Sequence, residues 1–181
     1  MAQTYCDYVG ALPENNVHKI YHDTQYGFPI DDDDALFERL ILEINQAGLS
    51  WNTILHKQNN FRKAYDNFSI KKVAAYADTD IHRLLNDAGI IRNKLKINAA
   101  IYNAQQVLAL QQQFGSFKNW LDQHHPQTLE QWVKIFRKTF KFTGGEIINE
   151  FLMSCGYLYG AHTETCPSYA KVLAQNPAWA Q

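Results

Sequence analysis

From residue 34 to residue 55, DALFERLILEINQAGLSWNTIL, apolar side chains return at helical spacing and nowhere alternate as in a strand. Leu36, Phe37, Leu40, Ile41 and Ile44 form one stripe that must find a core. Glu43 lies between two members of that stripe rather than on the opposite face. It is either a rim glutamate, with its stem on the core and its head in water, or one wall of a pocket. Gly48, Leu49, Ser50 and Trp51 follow one turn later, a tight turn carrying a large aromatic.

The rest of the chain repeats the helical pattern, and strand alternation is absent throughout, so the fold class is all-α. Residues 1–33 show no sustained period, and the acidic run Asp31, Asp32, Asp33, Asp34 stands where the first long helix should be capped. That helix is expected to end at Gly48, with Ser50 capping a short helix to Leu55 and a separate one over 60–67. Further helices are expected over 70–76, from a cap at Asp78 or Thr79 to 86, and over 92–112. Ser116 and Thr128 cap two more, a last long helix runs to Cys155, and 157–181 reads as an irregular tail. The expectation is one compact helical domain over 1–181.

Its 181 residues suffice for a real core, and 46% hydrophobic against 19% charged residues exclude a disordered chain. A net charge of -1 argues neither for nor against a nucleic acid, which leaves the question to local charge. Three cysteines, Cys6, Cys155 and Cys166, are a poor disulfide framework, and the start MAQTYCDYVG lacks the pattern of a secretion signal. A reducing, cytoplasmic location is expected. No apolar run is long enough to cross a membrane, and no face is marked for a partner copy, so a monomer is expected.

Two constellations could carry chemistry. Near 84–98 a helix, a turn at Gly89 and a second helix resemble a helix-hairpin-helix unit. Arg92, Lys94 and Lys96 stand just past that turn. Such a turn can offer backbone N–H groups and cations to phosphates, although many helical hairpins share the pattern. Basic residues Arg137, Lys138 and Lys141 form a second cationic stretch, equally readable as a solvated face. The second constellation joins the ends. His162 and Cys166 are spaced HTETC, and Cys6 and His22 lie in the irregular N-terminal part. Two thiolates and two imidazoles suit tetrahedral zinc, which would clip segments 1–30 and 157–170 together. A free Cys6 and an exposed His162 are the alternative. Cys155, on an apolar helix face, reads as a core residue.

Motifs spread along the chain resemble the bacterial DNA-3-methyladenine glycosylase I family of the helix-hairpin-helix glycosylase superfamily. They are Cys6, IYHDTQYGFP at 20–29, LFERLILEINQAGLSWNTIL at 36–55, FRKAYDNF at 61–68, DAGIIRNKLKI at 87–97, FKFTG at 140–144 and FLMSCGYLYGAHTETC at 151–166. The resemblance implies a structural zinc on Cys6, His22, His162 and Cys166. It implies a base pocket of Tyr21, Glu43 and Trp51, with Glu43 as the key carboxylate and Tyr26 and His18 where the family carries other aromatics. Leu49 would fill the gap in the DNA stack, and Gly89, Arg92, Lys94 and Lys96 would grip the backbone. The implied activity is monofunctional hydrolysis of the N-glycosidic bond of 3-methyladenine in double-stranded DNA. The chain departs from the family pattern at His18, Tyr26, Gly145, Glu146 and Glu150, which motivates an alternative, a related DNA-binding protein with lost or altered base excision.

Overall fold

The computed structural model describes residues 4–181, and every regular element among them is helical. In order these are α1 (Tyr5–Gly10), α2 (Val17–Thr24), α3 (Asp33–Gln46), α4 (Trp51–Ala64), α5 (Ile70–Ala74), α6 (Asp78–Leu85), α7 (Lys94–Phe114), α8 (Phe117–His124), α9 (Leu129–Thr139), α10 (Gly145–Ser154) and α11 (Pro167–Leu173). Short 3₁₀ turns occupy Asp66–Phe68 and Ala178–Ala180.

The stripe on α3 is the centre of the molecule: Leu36, Phe37, Leu40, Ile41 and Ile44 are all fully buried. On one side they meet Phe61, Tyr65 and Phe68 and the inner face of α7, Ile97, Ala100, Ala104 and Val107. On the other they meet an aromatic cluster built by α8, α9 and α10 around Phe117, Trp132, Phe136 and Phe151. A smaller cluster of Tyr21, Tyr26, Leu55 and Ala161, with Tyr5, Val17 and Trp51 against it, joins the two chain ends to this body.

The acidic run caps three helices rather than one. Asp32 accepts the Ala35 N–H at 2.8 Å and starts α3. Asp33 accepts the N–H groups of Phe117 at 2.8 Å and Lys118 at 3.0 Å, and so starts α8. Asp34 accepts the Ile70 N–H at 2.9 Å at the start of α5. Orphan donors at three helix ends are thereby satisfied from one four-residue stretch.

Several expected boundaries move. The two short helices expected between Ser50 and Asn67 are one, α4, because no breaker stands between Leu55 and Asn60. Asn93, accepting the Leu95 and Lys96 N–H groups, delays the start of α7 to Lys94. Neither Asp78 nor Thr79 caps α6: Ala77 holds that position, and Asp80 reaches back to its N–H at 3.2 Å. Gly145 opens α10 instead of breaking the pattern. Both terminal stretches read as irregular contain helices, α1 and α2 at one end and α11 at the other. Each spans eight residues or fewer, too short to display a repeat. No helix among the described residues is long and apolar enough to cross a membrane.

Candidate functional site

Beside the C-terminal half of α3 lies a cavity of about 840 Å³. Tyr5 and Tyr21 come to it from α1 and α2, Tyr26 from the loop after α2, and Trp51 from the first position of α4. Gln46, Ala47 and Gly48 supply one edge; Gly144, Gly145, Glu146, Ile147 and Glu150 supply the opposite one. Its aromatic walls are mutually braced. The Tyr21 ring lies 5.2 Å from Trp51 and 5.6 Å from Tyr26, whose ring meets Tyr5 edge-on at 5.6 Å.

Glu43 stands at the bottom with 4% of its surface exposed, and its carboxylate has no hydrogen-bond partner among the described residues. Burial raises its pKa to about 8, opposed by the Arg39 guanidinium one helical turn earlier and reinforced by Glu150. The pocket-wall reading of Glu43 therefore displaces the solvated-rim reading. Arg39 is itself buried: its Nη1 donates to the Ser154 carbonyl at 3.0 Å and to the Tyr21 hydroxyl at 3.4 Å, and its charge lies 5.2 Å from the centre of the Tyr21 ring. Glu150, half-buried on α10, accepts the Tyr26 hydroxyl at 3.3 Å, and burial raises its pKa as well.

Of the residues named from sequence, Tyr21, Tyr26, Glu43 and Trp51 line this cavity. His18 does not. It is buried behind the wall, with its Nδ1 3.0 Å from the Tyr5 hydroxyl. Tyr5 was missed because α1 is too short to betray its inner face. Glu146 and Glu150 are four residues apart and so share a helix face, which is the signal that they turn to the same cavity.

Leu49 crowns the turn between α3 and α4, 40% exposed, behind Gly48 at φ 80°, a left-handed backbone that favours glycine. Arg92 and Lys94 are exposed and free of carboxylate partners among the described residues. Lys96 is not on that surface. It is buried, and its Nζ donates to the Asn45 carbonyl at 2.9 Å and the Ala47 carbonyl at 2.7 Å, closing the C-terminal end of α3. On a helix, residues two apart point to nearly opposite faces, so Lys94 and Lys96 could not both face outward. Gly89 is also not an open donor, since its N–H is taken by the Asp87 carboxylate at 2.7 Å. A Cβ there would lie 2.9 Å from that same oxygen and 3.2 Å from Asn60.

At the far side of the tyrosine wall, Cys6, His22, His162 and Cys166 bring four ligand atoms within 4.8 Å of one another. His22 Nε2 lies 3.1 Å from His162 Nδ1 and 3.4 Å from Cys6 Sγ; Cys166 Sγ lies 3.7 Å from both ring nitrogens. A tetrahedral ion with bonds of about 2.0–2.3 Å needs ligand separations of about 3.3–3.8 Å; those observed run from 3.1 Å to within 4.8 Å, so small shifts would close the set on one. The remaining ring nitrogens are engaged: His22 Nδ1 with the Asp23 carboxylate at 2.7 Å, His162 Nε2 with the Tyr26 carbonyl at 2.7 Å. Both rings are thus oriented with the correct nitrogen inward. Gly27 permits this closure: at φ 82°, a Cβ would lie 2.8 Å from Ala161 and 3.2 Å from the His162 ring.

The methyladenine glycosylase family model matches residues 12–135. The chain is 34% identical to the DNA-3-methyladenine glycosylase 1 of Escherichia coli, covering 88% of this chain and 95% of that one. It is 32% identical to the DNA-3-methyladenine glycosylase of Haemophilus influenzae, with 91% and 97% covered. Among solved structures, the 3-methyladenine DNA glycosylase I of Staphylococcus aureus superposes with a TM-score of 0.80 at 33% identity, over 93% of this chain and 97% of that one. A variant of 3-methyladenine DNA glycosylase I in complex with 3-methyladenine gives 0.79 at 32% identity, over 86% and 94%.

Proposed function

Since the chain belongs to the 3-methyladenine DNA glycosylase I family, with its all-helical helix-hairpin-helix fold, we propose that it releases 3-methyladenine from alkylated double-stranded DNA by hydrolysis and leaves an abasic site. The observation that carries this reading is Glu43, a buried carboxylate without a partner inside an aromatic cleft. A neutral adenine would not offset the desolvation of that charge, whereas a base made cationic by methylation at N3 would.

The nucleotide leaves the stack and enters the cleft, where Trp51 and Tyr21 wall in its electron-poor ring and Tyr26 closes the side. Leu49 occupies the space left in the duplex. Arg92 and Lys94 hold phosphates at the hairpin turning on Gly89, with Arg137, Lys138 and Lys141 as further backbone contacts. His18 acts through the Tyr5 hydroxyl, and Lys96 through the turn that carries Leu49.

As the glycosidic bond breaks, its electron pair neutralises the departing base. The hydroxyl of a water molecule joins the sugar carbon, and its proton goes to solvent. Glu43 selects the cationic base on binding and needs no strength as a chemical base. No lysine lines the cleft among the described residues, which supports a monofunctional enzyme without a covalent lysine intermediate.

Cys6, His22, His162 and Cys166 would hold one zinc ion. With all four positions filled by protein it supplies a structural clip, and the aromatic wall on α1 and α2 depends on it. The protein would act as a monomer in the cytoplasm.

The test is chromatography of bases freed from methylated duplex DNA by the zinc-loaded wild type and by Glu43→Gln. Release of 3-methyladenine by the wild type, reduced at least about a hundredfold in the variant, supports the reading. A folded, zinc-loaded wild type that binds DNA and releases no base would instead favour the DNA-binding alternative.

A further inference from the structure

The cleft contains more charge than one carboxylate. Glu43 faces it from α3, Glu146 and Glu150 from α10, Tyr5 from α1, and Tyr21 and Tyr26 from α2 and the loop behind it, while Arg39 lies buried behind the Tyr21 wall; Glu146 stands exposed at the rim. Trp51, from α4, brings no charge. Of the acidic groups only Glu43 and Glu150 lie inside, and the nearest buried cation, Arg39, acts on Glu43 from behind the wall. When a bound cation draws off their protons, the two carboxylates bring two negative charges to the cleft, and Arg39 behind the wall offsets at most one of them. An unsatisfied negative charge enclosed by aromatic rings is complementary to a flat monocation.

Glu150 is not a bystander in that arrangement. Its oxygen is held by the Tyr26 hydroxyl at 3.3 Å, which fixes the carboxylate against a wall ring, and it approaches from the element opposite Glu43. Arg39 makes its hydrogen bonds to Tyr21 and to the carbonyls of Gln25 and Ser154 rather than to either carboxylate. Neither acid is therefore spent in a direct ion pair.

We propose that Glu150 is a second specificity-determining carboxylate of the cleft, so that a cationic base is read from two sides, by Glu43 and by Glu150. This inference rests on the base-pocket reading above. It assigns to the cleft a selection for permanently charged purines over neutral ones that exceeds what Glu43 alone provides.

The probes are 3,9-dimethyladeninium, a permanent monocation, and 9-methyladenine, a neutral ring of nearly the same shape. Both are titrated into zinc-loaded wild type, Glu150→Gln and Glu150→Asp at several pH values. The readout is the ratio of the two affinities in one sample, which is insensitive to any loss of folded protein. Glu150→Gln is expected to lower the cation-to-neutral ratio at least about tenfold, with neutral binding nearly unchanged. Glu150→Asp, which keeps the charge, should recover most of the ratio. With one fewer negative neighbour around Glu43, the pH midpoint of cation binding should also fall in Glu150→Gln. An unchanged ratio and midpoint in Glu150→Gln overturns the proposal while leaving the base pocket intact, provided the wild type still releases 3-methyladenine. If the wild type releases no base and binds neither probe, the base-pocket reading itself fails, and the inference with it.

Discussion

Glu43 shows how one residue can make a fold less stable in return for a function. Unfolded, its carboxyl titrates near the ordinary value of 4.5; folded, burial holds the proton up to about 8. Between those values the folded state binds more protons than the unfolded state, so stability falls as pH rises through that window. Glu43→Gln lacks the titration. Melting temperatures of wild type and variant should therefore converge at pH 4, and the wild type should fall progressively behind up to pH 8 to 9, as calorimetry in matched buffers would register. The same proton must leave when a cation binds, so affinity for a permanently charged base should rise from pH 5 to pH 8. Asp33 is the opposite case, a residue that only stabilises. It accepts from Phe117 N, Lys118 N and Gln111 Nε2, the last at 2.7 Å. Asp33→Ala should cost about 2 kcal/mol in urea denaturation, and the same change at the exposed Asp31 almost nothing.

Among elements, what could be read in advance depended on length. In α3 and α7 the apolar period runs for more than three turns and in α10 for nearly three, and their existence and inner faces are legible from composition and spacing alone. The helices α1, α2 and α11 were not, since a stripe of one or two turns cannot be told from scatter, and their stability comes from caps and from the cluster of cysteines and histidines that gathers them. Glu43 and Trp51 were visible because they interrupt or follow a strong pattern; Tyr5 was not, because its place in the wall is created by a contact across the whole sequence. Lys96 shows a local error of the same kind. Its sequence position groups it with Arg92, yet helical pitch turns it inward to the end of α3. Two substitutions separate these roles. Arg92→Ala should weaken duplex binding and reduce the slope of log affinity against log salt by about one. Lys96→Met should leave that slope unchanged and destabilise the protein by about 2 kcal/mol, because two helix-end carbonyls lose a charged donor.

For the whole molecule, the decisive feature is that ligands from residues 6 and 22 meet those from residues 162 and 166. Removing the metal with a chelator should lower the melting temperature and abolish base release together, and zinc should restore both; His162→Ala should reproduce the loss without recovery. Tyr5, Tyr21 and Tyr26, three of the four aromatic walls, sit on the N-terminal side of that clip, while Glu43 and Trp51 sit on the body. On a ribosome, then, Glu43 and Trp51 emerge long before the wall opposite them can be fastened. A nascent or prematurely ended chain would have a helical core and an open trough, with no enclosed chamber. The wall can be fastened only after His162 and Cys166, the last two members of the ligand set, have been made.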